Sequence, residues 1–194
     1  MKLGREFYQD NALKVAKKIL GKTLVHHTSE GIVKGKIVEV EAYVGPNDKA
    51  SHAYNGLDSS RTHIQYGQGG YLYIYLIYGM HICTNIVVNG VGKPEVLLLR
   101  ALEPLEGVEV MKERRGIERI KDLCNGPGKL SKAMGITKAH YGMDLCGEDI
   151  YIEDAPDLEE TEIEESKRIN IDYAEEAVDY MWRFTIKGNS FISK

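Results

Sequence analysis

The sequence predicts an α+β fold: a single mixed domain on a mainly antiparallel β-sheet with flanking helices. Three observations carry this. Segments of strand period follow one another through short turns in the first half of the chain. Helical spacing appears near the start and again after residue 104. A chain of 194 residues, 43% of them hydrophobic, can bury one respectable core but not two ordinary ones.

The elements follow in order. Asp10 or Asn11 can cap a short helix in which Leu13, Ala16, Ile19 and Leu20 recur at helical spacing, and Gly21 stands where a terminating glycine belongs. From Lys22 the period changes to that of strands, over Thr23 to Val25, Ile32 to Tyr43, Tyr71 to Ile77, Met80 to Val88 and Val96 to Leu102. Leu105 to Arg115, Lys129 to Met134 and Tyr173 to Met181 read as helices, and Trp182 to Ile186 as a last strand. The whole of residues 1–194 is expected to form one domain, with an acidic surface segment at about 148–165 that is partly disordered or an excursion from the body.

Composition excludes several classes. The longest stretch without Asp, Glu, Lys or Arg, Thr62 to Gly92, carries His, Gln, Asn and repeated Gly, and its tyrosines alternate with aliphatics, so it is no membrane span. Cys83, Cys124 and Cys146 show no CxxC spacing, and the first ten residues have no apolar signal core. A reducing, intracellular setting without disulfides or structural zinc is expected. The net charge of −4 is unevenly distributed. Glu148 to Glu165 holds ten acids and no Lys or Arg, which leaves the rest of the chain an excess of six positive charges. Met111 to Lys138 carries eight Lys/Arg against three Asp/Glu and can form a basic face, although charge runs of this kind are most often solvated surface.

Three constellations can carry chemistry. In Lys36 to Tyr43, alternation puts Glu39, Glu41 and Tyr43 on one strand face and Val38, Val40 and Ala42 on the other. Carboxylates two residues apart on a strand lie roughly 7 Å apart, which suits a general base, an acid/base pair or two metal ligands; an exposed strand face is the plain alternative. His52 follows in a loop. Next, Tyr71, Tyr73 and Tyr75 form an aromatic ladder over Leu72, Ile74 and Leu76, and a tight turn at Ile77 to Met80 places Tyr78 at the tip, with Gly79 supplying positive φ. An aromatic at a hairpin tip is poorly explained by core packing and suits insertion into a groove or base stack. Finally, Gly126, Gly128 and Lys129 open a helix whose free N–H groups favour an anion; with Leu123 and Leu130 in the wrong places it is no P-loop, and a phosphodiester backbone is the better fit.

Taken in order, Glu39-Val40-Glu41-Ala42-Tyr43 with Gly45-Pro46 and His52, Leu72 to Met80 with Asn85, Leu98 to Gly107, and Gly126 to Leu130 resemble the alkyladenine (3-methyladenine) DNA glycosylase family from about Leu13 to Ser193. The resemblance implies a single α/β domain with a protruding β-hairpin and no metal or redox cofactor. It implies removal of alkylated or deaminated purines from duplex DNA by base flipping, leaving an abasic site. It assigns Glu41 to activation of water for attack at C1′, Arg100 to positioning that water, Tyr78 to filling the gap in the duplex, Tyr43, His52 and Tyr75 to the walls around the flipped base, and Asn85 to discrimination against guanine's exocyclic amine. It further implies an intracellular, nucleoid-associated monomer whose partner is damaged double-stranded DNA, with no membrane and no obligate protein partner. Two departures bear on lesion preference: Asn55 to Tyr66, where only Arg61 aligns readily with a more basic family pattern, and Arg168 to Asp172, bulkier than the glycine-rich stretch of relatives. Two rival readings are a non-catalytic nucleic-acid module that stacks bases on the tyrosines, and a metal-dependent hydrolase using Glu39, Glu41, Asp48 and His52.

Overall fold

A computed structural model describes residues 1–77 and 79–193. Among these, helix α1 spans Ala12–Ile19, α2 Val108–Arg115 and α3 Pro127–Met134. The strands are β1 Thr23–Thr28, β2 Gly31–Val44, β3 Leu72–Ile77, β4 His81–Val88, β5 Glu95–Glu106, β6 Ile150–Glu153, β7 Ile163–Ser166 and β8 Arg183–Ile186. All pairings are antiparallel, in the order β3-β4-β5-β2-β1-β6, with β8 added to β2 and β7 to β8. The α+β architecture is therefore as the sequence predicts.

The period-two pattern sorts the sheet into two faces. Leu72 and Ile74 of β3, Ile86 and Val88 of β4, Leu97 and Leu99 of β5, and Val40 and Ala42 of β2 join one core with Val15 and Ile19 of α1 and Leu130 and Met134 of α3. Tyr73, Asn85, Leu98, Arg100, Glu41 and Tyr43 face the other way, so the helices cover one side and the polar and aromatic side chains gather on the other.

β2 is the spine, pairing with β1, β5 and β8 along its length, and three register shifts against β5 bend it. At the first, a side chain at Gly35 would place its Cβ 2.9 Å from Leu102 Cβ, so only glycine permits the close approach. At the others Val38 and Arg100 drop out of the ladder, because Ile37 pairs with Leu102, Glu39 with Ala101 and Val40 with Leu99. Val38 is consequently not part of the main core that holds Val40 and Ala42.

Three expectations differ from what is found. The helix read from Leu105 begins at Val108, because β5 runs on to Glu106 opposite Lys34 and Gly107, at φ +71°, makes the turn. Tyr173 to Met181 is not an α-helix but a single 3-10 turn over Glu175–Asp179, with Glu175 at φ +48°. Ala174 and Ala177 there pack on Ala50 and Ile171, and a spacing of three serves a 3-10 turn as well as an α-helix. The acidic segment is neither disordered nor an excursion. It supplies β6 and β7, held by Lys2 to Glu148, Lys34 to Glu153, Lys17 to Glu165, and a buried Lys22 to Asp154 and Asp157. β6 lies at the sheet edge opposite β3.

Candidate active site

The site begins with the two register shifts. Freed from the ladder, Arg100 points between the carboxylates of β2: its Nε donates to Glu39 Oε1 at 3.0 Å and its Nη1 lies 3.3 Å from Glu41 Oε1. Bulges next to active sites commonly re-aim a side chain in this way. All three groups are buried.

The two carboxylates are not equivalent. Glu39 also accepts from Arg183 Nε (2.7 Å) and from the Ser193 hydroxyl (2.7 Å) and backbone N–H. Burial pushes its pKa up, but the Ser193 bonds, Arg183 and Arg100 outweigh that, and the group is held below the usual carboxylate range. With four hydrogen bonds, Glu39 is a fixed anion whose capacity is spent on positioning Arg100. Glu41 accepts from the Ile169 N–H (2.7 Å) on Oε1, beside Arg100, and from the Tyr43 hydroxyl (2.9 Å) on Oε2. One oxygen is thereby anchored, while Oε2 keeps an acceptor position. Burial drives the Tyr43 phenol well above its ordinary pKa, with the Glu41 charge adding to it, so Tyr43 remains a donor.

These groups adjoin a cavity of about 720 Å³. Tyr43, His52, Tyr75, Asn85 and Arg100 line it, as do Gly126, Gly128 and Lys129 at the start of α3. Glu41 itself sits behind the lining, covered by Tyr43, Arg100 and Ile169. Six sequence-predicted residues, five on the wall and Glu41 behind it, and the helix start are therefore brought together around one space; Tyr78 lies outside the described residues. Asn85 is fixed by donation from Nδ2 to Tyr73 O (3.1 Å). Lys129 Nζ rests on Asn125 Oδ1 at 2.9 Å. At Gly128 a Cβ would come within 3.1 Å of His81 Cβ, so the small residue lets α3 approach the β3–β4 hairpin.

His52 is held by Tyr73, whose hydroxyl is 2.7 Å from Nδ1, and meets the Tyr75 ring edge-on at 4.6 Å. Burial, and then the Arg61 charge, push its pKa down to about 4, so His52 itself is uncharged at neutral pH. The sign of the linkage follows. From an unfolded value near 6.5 down to about 4, the unfolded chain binds a proton that the folded chain refuses, so folding stability falls as pH drops through this window. Burial lowers the His26 pKa as well and adds to the fall. Thermal melts from pH 7 to pH 4 should show it, and His52→Gln should make the decline shallower; an unchanged slope would assign the decline to other groups.

Sequence reasoning missed Tyr73 as a pocket residue, and missed Arg183, Ser193 and Gln65. It named Asp48 only as a possible metal ligand. Asp48 instead forms a buried bidentate pair with Arg168, at 2.6 and 2.8 Å, and the Arg168 guanidinium stacks 4.7 Å from Tyr43 and 5.1 Å from Trp182. Glu39 and Asp48 are thus committed to arginines, and among the described residues no three His, Cys, Asp or Glu side chains converge as a ligand set.

A bent antiparallel sheet that presents a buried carboxylate–arginine pair beside an aromatic cavity defines a candidate hydrolytic site for a flat, unsaturated ring. The methylpurine-DNA glycosylase family matches residues 6–190. The chain is 51% identical to a protein of Clostridium acetobutylicum, across all of this chain and 98% of that one, and 50% identical to one of Alkaliphilus oremlandii across the full length of both. A third, from Natranaerobius thermophilus, is 46% identical over all of this chain and 99% of its own. Each is provisionally named a 3-methyladenine DNA glycosylase. This chain belongs to the methylpurine-DNA glycosylase family, and it is a DNA glycosylase of base excision repair.

Proposed function

We propose that the chain excises alkylated and deaminated purines from duplex DNA by hydrolysing the bond between the base and C1′. The observation that carries this reading is the Glu41 carboxylate, anchored on Oε1 by the Ile169 N–H and bonded on Oε2 to the Tyr43 hydroxyl alone, at the back of a cavity walled by Tyr43, His52 and Tyr75.

The purine enters between Tyr43 and the Tyr75–His52 pair. Electron-rich rings favour an electron-poor or cationic alkylpurine by about 0.5–2 kcal/mol per contact, and a neutral His52 does not oppose that charge. A damaged base is also cheaper to unpair. Glu41 takes a proton from water held near Arg100. The water oxygen bonds to C1′, the C1′–N bond breaks, and its electron pair leaves with the base. A cationic 3- or 7-alkylpurine departs as a neutral molecule without further help. Asn85, unable to swing away because Tyr73 O holds its amide, meets the exocyclic amine of guanine. Gly126, Gly128 and Lys129 flank the backbone of the flipped nucleotide. Tyr78 fills the vacated stack; support for a wedge comes from Gly79 at φ +71° and from Met80, 73% exposed beside it. β6, in the acidic segment, lies at the sheet edge opposite β3, away from the hairpin that carries Tyr78.

No helix of the described residues is long and apolar enough to cross a membrane. We propose that the enzyme works inside the cell, as one domain and as a monomer. Lys129, the one lysine among the described lining residues, is engaged by Asn125 Oδ1 at 2.9 Å, and an intact abasic site is the expected product. The test is single-turnover incubation, with EDTA present, of duplexes carrying one 3-methyladenine, 7-methylguanine or hypoxanthine. Free base and an abasic strand that breaks only on alkaline heating are expected. Spontaneous nicking would replace hydrolysis with a lyase reaction, and binding without release would favour a stacking module.

A further inference from the structure

We infer that Gln65 reads the edge of the flipped base and sets lesion preference. This rests on the glycosylase reading above and adds a residue to it.

Gln65 lies in the 3-10 turn His63–Tyr66, fully buried, and lines the same cavity as Tyr43, Tyr75 and Asn85. Its backbone position is fixed, because its N–H donates to Thr62 O at 2.8 Å and the neighbouring Tyr66 carbonyl accepts from Gly92 N at 2.8 Å. Its side chain is not satisfied: neither Oε1 nor Nε2 has a hydrogen-bond partner. The Tyr73 hydroxyl is a near neighbour: burial raises that phenol's pKa, and the Gln65 amide opposes the rise. Burying an amide with both ends unpaired is costly, and native proteins rarely tolerate it. Of the other cavity amides, Asn125 is engaged at both ends, by Asp122 and Lys129, Asn85 donates to Tyr73 O, and Asn170 is exposed. Among the described residues Gln65 is therefore the buried cavity amide whose donor and acceptor are both unspent.

An amide offers one donor beside one acceptor, and it is matched by a base edge that offers the reverse. Adenine-type bases carry an N6–H next to ring nitrogens N1 and N7, and hypoxanthine carries N1–H next to O6. Either edge satisfies both ends of Gln65. Ethenoadenine, in which N1 and N6 are tied into the added ring, has no N–H on that edge and leaves Oε1 unpaired. A site built to hydrogen-bond its substrate rejects an analogue lacking the partner far more strongly than an apolar pocket does.

The test compares native protein with Gln65→Met, an unbranched apolar replacement of similar length, in single-turnover release of hypoxanthine and of ethenoadenine from otherwise identical duplexes. The native protein should favour hypoxanthine, and the substitution should lower the hypoxanthine-to-ethenoadenine rate ratio at least tenfold. Gln65→Glu, which keeps an acceptor and loses the donor, should also depress hypoxanthine release. Thermal melting checks folding, and Gln65→Met should melt no lower than native because it removes unpaired polar atoms. A ratio unchanged within twofold, with release intact, would overturn the role of Gln65 alone. Release of neither base nor of any alkylpurine by native protein would overturn the glycosylase reading with it.

Discussion

Glu41→Gln should abolish base release while leaving the fold standing, with the single-turnover rate on a cationic 7-alkylpurine falling about 10²–10⁴-fold, the usual range for loss of a positioned general base. The substitution is nearly isosteric, and the local hydrogen bonds can be rebuilt. The amide oxygen can still accept from the Ile169 N–H, and the amide nitrogen can donate to the Tyr43 oxygen in place of the bond it loses. Arg100 keeps Glu39 as its carboxylate partner. What disappears is the capacity to take a proton from water. A modest loss of stability is expected, because two carboxylates now balance two arginines, Arg100 and Arg183, and the variant leaves one positive charge in excess. Measuring release and the melting temperature on one preparation separates chemistry from folding. A variant that melts like the native protein and releases base within tenfold of the native rate would remove Glu41 from the reaction and turn attention to Glu39.

The contrast between the two carboxylates shows what was legible in the sequence. Alternation along Glu39-Val40-Glu41-Ala42-Tyr43 puts all three polar groups on one face, and the structure has them there. The tyrosine ladder likewise splits by a period of two as far as Tyr75, with Tyr73 and Tyr75 towards the cavity and Leu72 and Ile74 in the core, whereas Leu76, expected with the latter, also lines the cavity. Alternation cannot report which carboxylate is consumed, because that depends on partners far along the chain. Arg183 and Ser193 reach Glu39 across 144 and 154 residues. The bulges that release Arg100 are properties of pairing between two strands, invisible in either one alone. The anchor of Glu41 is a backbone N–H, at Ile169, and a backbone group carries no residue signature. Gln65 was hidden for a related reason: a glutamine in a loop is ordinarily solvated, and only tertiary burial makes its unpaired amide informative. The charge run was misleading in the opposite sense. Ten acids in eighteen residues suggested disorder, yet four lysines from elsewhere in the chain, Lys2, Lys17, Lys22 and Lys34, neutralise enough of them to build two edge strands.

The Asp48–Arg168 pair carries the largest expected effect on stability, and it also links folding to the pocket. Both side chains are fully buried, and the guanidinium turns its other Nη donors to the carbonyls of Ala42 and Ala177, with Nε left unpaired, while lying against Tyr43 and Trp182. It therefore pins the segment before the last strand to β2 and supports the Tyr43 ring from behind. Removing one member of a buried ion pair costs about 3–5 kcal/mol, because the survivor is left without compensation; for a chain of this length that lowers the melting temperature by about 6–20 °C. The two halves are not symmetric. In Arg168→Met the Asp48 carboxylate retains the N–H groups of Val44 and Ala50, and it can escape its charge by taking a proton. In Asp48→Asn the guanidinium cannot shed its charge. Asp48→Asn should accordingly melt lowest, and the double substitution should be less damaging than the sum of its parts. Arg168→Lys should rescue little, since an ammonium can neither make the planar two-point bond nor stack between rings. In whichever of these variants folds at the assay temperature, base release should need more enzyme to saturate, because a wall of the pocket has lost its backing, while the step performed by Glu41 keeps its rate once the base is bound. Loss of the saturated rate with unchanged half-saturation would instead place Arg168 in the chemistry rather than behind it.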